Sequence, residues 1–401
     1  MRILLAHTYY QRRGGEDAVF ENEAKLLEDK GHTVIPHVAH NDSIESLRDK
    51  AAAFTQVTWN RSAACAMHAV IERERPDVMH VHNFFPLMSP SIYDAARRLG
   101  VPVVQTLHNY RLGCAAGFLT RDGEPCHDCV GRLPVAAVRH RCYRGSLPGS
   151  IAVAGMIAAH QLKGTWKTRV DRFIALTSFA RGKLIEIGLP AERIIVKPNF
   201  APDGGYDPDA VREGALFVGR LSPEKGVLGL VQNWQGFEAP LAVAGTGPLE
   251  AQLQAMVGAR VRMLGQLSSE QLAVQYQRAR CLVLPSTAYE SMPMTLIEGW
   301  SKGLPPIAFR HSAFAELIED GVTGLLVPPG DFGALMQRLQ WAFDNPQAMA
   351  AMGKAARAHY EKHFTPEANC EALLAVYRAA QDSATAGAAS RSTGKSWQKG
   401  L

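Results

Sequence analysis

Two acids, Glu290 and Glu298, frame the segment Pro285-Ser286-Thr287-Ala288-Tyr289-Glu290-Ser291-Met292-Pro293-Met294-Thr295-Leu296-Ile297-Glu298. An ionised carboxylate only accepts hydrogen bonds, so such a pair suits a hydroxyl-rich ligand whose groups donate them. Two cations, Arg220 and Lys225, stand in Val218-Gly219-Arg220-Leu221-Ser222-Pro223-Glu224-Lys225-Gly226. Cations at a strand end beside a helix N-terminus make an anion site. His108 closes the run Thr106-Leu107-His108-Asn109. Cys114, Cys126, Cys129 and Cys142 follow the pattern Cys-x11-Cys-x2-Cys-x12-Cys, with His127 and His140 nearby. A Cys-x2-Cys pair can chelate one metal ion, and two further thiolates would complete a tetrahedral zinc site. Free thiols and an iron–sulfur cluster remain alternatives, and disulfides are disfavoured in a cytosolic protein.

The elements that must position these groups alternate along the chain. Residues 2–7, 33–38, 78–82, 102–108 and 172–177 read as strands, and 16–30, 61–75 and 91–99 as helices between them. Strand–helix alternation predicts a mainly parallel sheet covered on both faces. Residues 199–212, rich in Pro, Gly, Asp and Asn, read as a linker. The alternation then restarts, with strands predicted at 215–218, 241–244, 261–264, 281–284 and 306–309. The chain therefore divides into an N-terminal domain, 1–198, and a C-terminal one, 213–365, with a cleft between them as the default ligand site. A last helix is expected at 366–382 and a disordered Ser/Ala/Gly-rich tail at 383–401. Pro293 fits the start of a helix after the strand 281–284. Glu290 then lies at a strand's carboxyl end, where ligands bind in open α/β sheets, and Glu298 about one turn into the helix. Asp207-Pro208-Asp209 falls in the linker with no strand before it and reads as a turn rather than a metal motif.

The chain has 401 residues, 47% hydrophobic and 20% charged, with a formal net charge of +5. No apolar run approaches the roughly 20 residues that span a bilayer, and the first residues read as a strand rather than a signal peptide. A cytoplasmic protein is expected. Charge is concentrated between Arg132 and Arg172: eight Lys/Arg, one acid (Asp171), and Trp166 among them. Such a stretch suits an anionic membrane surface or a phosphate-bearing acceptor, or is a solvated basic face. No nucleic-acid motif accompanies it.

These motifs, in this order, resemble the retaining glycosyltransferases of the GT-B fold, family 4 in particular. The resemblance covers most of the chain and implies two doubly wound Rossmann-like domains facing across a cleft, the last helix crossing back onto the first. It implies that Arg220 and Lys225 hold the donor diphosphate and neutralise the leaving group. Gly245, Gly247 and Pro248, in Ala244-Gly245-Thr246-Gly247-Pro248-Leu249, would let the backbone approach the donor closely. Leu267, in Leu264-Gly265-Gln266-Leu267, would abut the base, and Ser268-Ser269-Glu270 looks like a helix cap. Glu298 would bind the ribose, and Glu290 would lie near the transferred sugar. The backbone at Ser291, Met292 and Pro293, with Met294 and Thr295 following, would face sugar and phosphate. Ser291 replaces the Gly common in the family, which leaves the donor sugar open. In the first domain, Arg13-Gly14-Gly15-Glu16-Asp17 resembles a shortened Gly-Gly-x-Glu loop, so Gly14, Gly15 and Glu16 would touch the donor phosphates and shape the acceptor pocket.

His108 matches the family histidine that hydrogen-bonds the donor sugar. Strand alternation puts His80 and His82 on one face, as candidate acceptor-pocket residues. The partners implied are a UDP- or GDP-linked sugar and a glycan or polyprenyl-diphosphate-linked acceptor, with no catalytic metal and peripheral contact with the inner membrane face through 132–172. The cysteines lie in an insertion, 111–149, outside the minimal family pattern. A nucleotide-sugar epimerase, a phosphorylase on the same fold, or an inert zinc-bearing interaction protein are the rival readings.

Overall fold

The computed structural model describes residues 1–11 and 14–396, apart from the side chains at 47, 50 and 386–396. Arg13 and residues 397–401, on which parts of the loop and tail expectations fall, lie outside the described residues. The chain forms two compact units. The first comprises residues 1–118, 127–198 and those from Cys370 onward, and the second 119–126 and 199–369.

In the first unit, β1 (Arg2–Tyr9), β2 (Thr33–His40), β3 (Val78–Asn83) and β4 (Val103–Leu107) are followed by a short antiparallel hairpin, β5 (Thr120–Arg121) and β6 (Glu124–Pro125), which clusters with the second unit. β7 (Arg172–Ala175) and β8 (Ile194–Val196) complete the first sheet, which is parallel throughout in the order β2-β1-β3-β4-β7-β8. In the second unit, β9 (Ala215–Val218), β10 (Leu241–Ala244), β11 (Val261–Gly265), β12 (Cys281–Leu284), β13 (Pro306–Phe309) and β14 (Leu325–Val327) form another parallel sheet, ordered β11-β10-β9-β12-β13-β14.

Parallel neighbours need crossover helices, which bury both sheet faces. That is why Ile3, Leu4, Leu5 and Ala6 in β1, and Cys281, Leu282 and Val283 in β12, run as unbroken apolar stretches with no exposure. In the second unit Trp234, Phe217, Val243, Val283, Ile307 and Phe309 pack into one core.

Each sheet has a point where the strand order reverses. In the first it falls between β1 and β3, in the second between β9 and β12. Loops leaving adjacent strands there diverge to opposite faces and open a crevice at the carboxyl edge. Gly14, just before the helix that follows β1, His82 near the end of β3, and the loops that contain Arg220 to Lys225 and Ser286 to Glu290 all stand at strands that border a reversal.

Every expected strand is present within a residue or two. β5, β6, β8 and β14 were not anticipated; each is a run of two or three residues, too short for periodicity to mark. The segment 199–212 carries no regular element but is pinned within its unit. Arg357 forms an ion pair with Asp203 at 2.7 Å, and the Tyr360 hydroxyl donates to the Ala201 carbonyl at 2.8 Å. Asp207 accepts from the Asp209 N–H at 3.0 Å, a turn closed by its own side chain. The last helix spans Pro366–Ser396, longer than the expected 366–382, and so takes in residues 383–396, which were expected to belong to a disordered tail. From Cys370 on it belongs to the first unit, where Leu373, Val376, Tyr377 and Ala380 are buried.

Candidate functional site

In the second unit the loops at the carboxyl ends of β9 to β12 are tied by their backbones. The Leu221 N–H donates to the Thr246 carbonyl at 3.0 Å, Gly245 N–H to Gly265 at 2.8 Å, and Thr287 N–H to Glu224 at 2.9 Å. Three glycines make this closeness possible. A Cβ on Gly226 would sit 1.9 Å from the Pro285 carbonyl oxygen, one on Gly245 2.0 Å from that of Gly219, and one on Gly247 2.3 Å from that of Leu221. Gly226 and Gly245 also have positive φ, +69° and +132°. What Gly245 and Gly247 approach in the structure is the backbone of the neighbouring loop, at Gly219 and Leu221.

The short helical turn Pro223–Lys225 carries Lys225 towards the β12 loop. There Lys225 Nζ lies 2.6 Å from Glu290 Oε1. Ser286, two residues beyond β12, donates to the same oxygen at 2.7 Å. Its carbonyl stands 2.5 Å from His311 Nε2. Burial pushes the Glu290 carboxyl up, but the Lys225 charge and the hydrogen bonds from Lys225 and Ser286 outweigh it. The group is held below the usual carboxylate range and stays ionised. Arg220, on the same loop as Lys225, is exposed.

Glu298 lies one turn into the helix Met294–Ser301, whose N-cap is Pro293. Tyr276 donates its hydroxyl to Glu298 Oε2 at 2.7 Å. Burial raises the Glu298 carboxyl, and that hydrogen bond only partly restores it. One acid is thus paired with a cation from the β9 loop and the other with a phenol.

Met292 turns inward, where its sulfur accepts the Asn199 N–H at 3.2 Å, so its side chain anchors the loop. Ser291 and Met294 are also buried, and Thr295 is half-buried. Leu267 is half-buried; Pro248 lies in the β10 loop tied to Leu221. Ser268 caps the helix Ser269–Arg278 in a box with Gln271.

In the first unit, Gly14 precedes the helix Gly15–Asp29, and its N–H donates to Asp17 Oδ2 at 2.9 Å. A Cβ on Gly14 would meet nothing within 4 Å, and its φ of −129° suits any residue. Glu16 accepts from Tyr10 and from Asn109, each at 2.8 Å. It therefore joins the β1 loop to the loop that carries His108, and burial raises its carboxyl.

His108, half-buried, lines a small concavity with His82, Asn83, Phe84, Phe85, Asn109 and Arg111 among others. The expected common face of His80 and His82 is present, their rings 4.4 Å apart. His80, with no exposure, spends its nitrogens on Tyr377 and Thr106 at 2.8 Å, whereas His82 reaches the concavity.

Beneath them lies Glu23. Its Oε1 is 3.1 Å from His82 Nε2 and 3.2 Å from His80 Nδ1, and its Oε2 is 3.3 Å from Lys197 Nζ. Glu23, His80 and His82 are, among the described residues, the group whose ligand atoms all lie within 4.8 Å of one another. Lys197 already neutralises this carboxylate, as in a closed ion-pair network rather than a metal cage.

Cys114, Cys126, Cys129 and Cys142 are all half-buried. Trp166, read as part of a basic surface, is instead 4% exposed and packs against Phe84 and Tyr93. Arg169 is paired with Asp94 at 2.6 Å. What the basic stretch does expose is Leu133, Val135, Leu147 and Ile151 beside Arg132, Arg139, Arg141 and Arg144.

Sequence reasoning missed Ser286, Tyr276, Glu23 and Lys197. Ser286 stood four residues before Glu290, on the strand-end loop itself. Glu23 had a signal too: it shares the buried face of its helix with Val19, Phe20, Leu26 and Leu27. Tyr276 comes from another helix, and nothing local marks it.

The sequence profile described as "Glycosyl transferases group 1" matches residues 210–359, and "Glycosyl transferase 4-like domain" matches 14–199. The chain belongs to the GT-B glycosyltransferases of the family 4 type. It is 34% identical to D-rhamnosyltransferase WbpZ of Pseudomonas aeruginosa over 37% of this chain and 41% of that protein. It is 26% identical to the GDP-mannose-dependent alpha-mannosyltransferase of Corynebacterium glutamicum over 77% of this chain and 69% of that one. The crystal structure of Anabaena Alr3699/HepE in complex with UDP and glucose has a TM-score of 0.66 at 19% identity, covering 94% of this chain and 99% of that one, and attests the fold.

Gly226→Ala combines a left-handed backbone with a collision at Pro285. It should lower stability by about 1–3 kcal/mol, read as a fall in melting temperature. An unchanged melting temperature would contradict the tight loop packing.

Proposed function

We propose that this glycosyltransferase is a retaining enzyme that moves a sugar from a UDP- or GDP-linked donor to a hydroxyl of a glycan or polyprenyl-diphosphate-linked acceptor, in surface polysaccharide synthesis. The observation that carries the reading is the pairing of Lys225 with Glu290, one loop-and-turn away from the Tyr276-held Glu298. A diphosphate needs fixed cations, and a ribose needs an acceptor. Lys225 with Arg220 supplies the first and Glu298 the second. In a front-face displacement the acceptor oxygen attacks the anomeric carbon on the leaving-group side. The carbon–oxygen bond to the diphosphate breaks, and a donor phosphate oxygen takes the acceptor proton. Glu290 then stands near developing positive charge, and Lys225 near developing negative charge, the electrostatic contribution that is often largest. With two cations at the leaving group, the reading needs no catalytic metal. That one relative is named for GDP-mannose and one structural neighbour binds UDP supports testing both bases.

Two finer readings accompany it. Exposed Leu133, Val135, Leu147 and Ile151 among unpaired-sign arginines suit peripheral contact with an anionic membrane from the cytoplasmic side. Among the described residues no helix is long and apolar enough to cross a membrane. The spacing of Cys114, Cys126, Cys129 and Cys142 supports a structural zinc with four protein ligands and no open position.

Three measurements test these readings. UDP or GDP should raise the melting temperature of the wild type without added metal, and Glu298→Ala should cut that nucleotide's affinity at least tenfold; equal affinity would remove the ribose assignment. The protein should sediment with vesicles containing anionic phospholipid and not with neutral ones; staying in the supernatant with both would end the membrane reading. Metal analysis of purified protein should find one zinc per chain; a metal-free, fully folded protein would dismiss the zinc.

A further inference from the structure

The buried histidines of the first unit are linked in series. Glu23 Oε1 faces His82 Nε2 at 3.1 Å, and His82 Nδ1 faces His108 Nε2 at 3.1 Å. The His82 and His108 rings are close to parallel, with centroids 5.3 Å apart and planes inclined by 21°. His7 lies edge-on to His82 at 6.4 Å and is itself bound to Asp17 at 2.7 Å, and His80 completes the surroundings of Glu23.

Proton positions along this series follow from elementary bookkeeping. Burial would push the Glu23 carboxyl up, but Lys197 and the two histidines hold it well below the usual range, so it is ionised and can only accept. The His82 nitrogen that faces it must therefore carry a hydrogen. Burial and the neighbouring His80 hold His82 down to about 4, so at neutral pH its ring has one proton, already placed on Nε2. Its Nδ1 is a bare lone pair, and the His108 Nε2 facing it must donate. Burial likewise keeps His108 neutral, so its Nδ1 carries no proton. Among the described residues that nitrogen has no hydrogen-bond partner, and its ring lines the concavity at the carboxyl edge.

We infer that Glu23 and His82 are positioning residues that lock His108 in the Nε2–H tautomer, so that it offers a hydrogen-bond acceptor, and no donor, to the ligand. The series has a fixed direction, set at its buried end by the Glu23–Lys197 pair. A ligand group at His108 must then bring its own hydrogen: a hydroxyl or amide N–H fits, whereas a carboxylate, a phosphate oxygen or an O-methyl group meets lone pair with lone pair. This rests on the reading above only in taking the ligand group to be a sugar hydroxyl. The tautomer itself does not depend on it.

The test is long-range proton–nitrogen correlation spectroscopy of the 15N-labelled, ligand-free protein at pH 7, with the His108 and His82 ring signals assigned from spectra of His108→Gln and His82→Phe. Both rings should show the neutral Nε2–H pattern. His108 as the Nδ1–H tautomer, or doubly protonated, would overturn the inference. In folded His82→Phe, checked by circular dichroism, His108 has lost its acceptor and its signals should move towards a tautomeric average. An Nε2–H pattern that survives there would show that the series does not set it. If His82→Phe fails to fold, the wild-type spectrum decides alone. Nucleotide binding, measured separately by thermal shift, fails or succeeds independently of these spectra.

Discussion

The structure of the second unit depends on backbone touching backbone at the carboxyl ends of β9 to β12. Gly226 against Pro285, Gly245 against Gly219 and Gly247 against Leu221 leave no room for a Cβ. This contact, with the hydrogen bonds that run beside it, fixes the loop that bears Arg220 and Lys225 against the loop that bears Ser286 and Glu290. Lys225 can then meet Glu290 at 2.6 Å without either long side chain having to search for the other. The ordering entropy is met by the fold before any ligand arrives, which is what preorganisation means for a charged site.

The same molecule handles buried carboxylates in three ways. Glu290 is ionised, because a lysine and a serine outweigh its burial. Glu298 faces only a tyrosine hydroxyl, and burial leaves its carboxyl raised. Glu23, almost without exposure, is compensated by Lys197 and two histidines and serves to orient its neighbours. The first two suit ligand contact, one with charge and one with hydroxyls. The third lies too deep for a ligand and is structural in the strict sense that removing it would strand a buried lysine.

Much of this was legible in the sequence, for physical reasons that also mark where legibility stopped. The parallel sheets could be read because buried strands such as Cys281–Leu284 are unbroken apolar runs between helical patterns. The acids and cations could be placed because strand ends and a proline mark the helix start at Met294. Three-residue strands such as β8 carry no period to detect. Tyr276 is linked to Glu298 only through the fold, so its role had no local trace. Trp166 looked like a surface anchor because its neighbours are basic. Its partners, Phe84 and Tyr93, lie far away in sequence and make it core. The glycines of the β10 loop signalled close approach correctly, but composition cannot say to what.

If the loops after β9 and β12, with the helix that follows, form a nucleoside-diphosphate site, a crystal structure of the protein grown with UDP or GDP should show the diphosphate against Arg220 and Lys225 and the ribose hydroxyls on Glu298. A nucleotide bound elsewhere, with the Lys225–Glu290 pair untouched, would rule that site out.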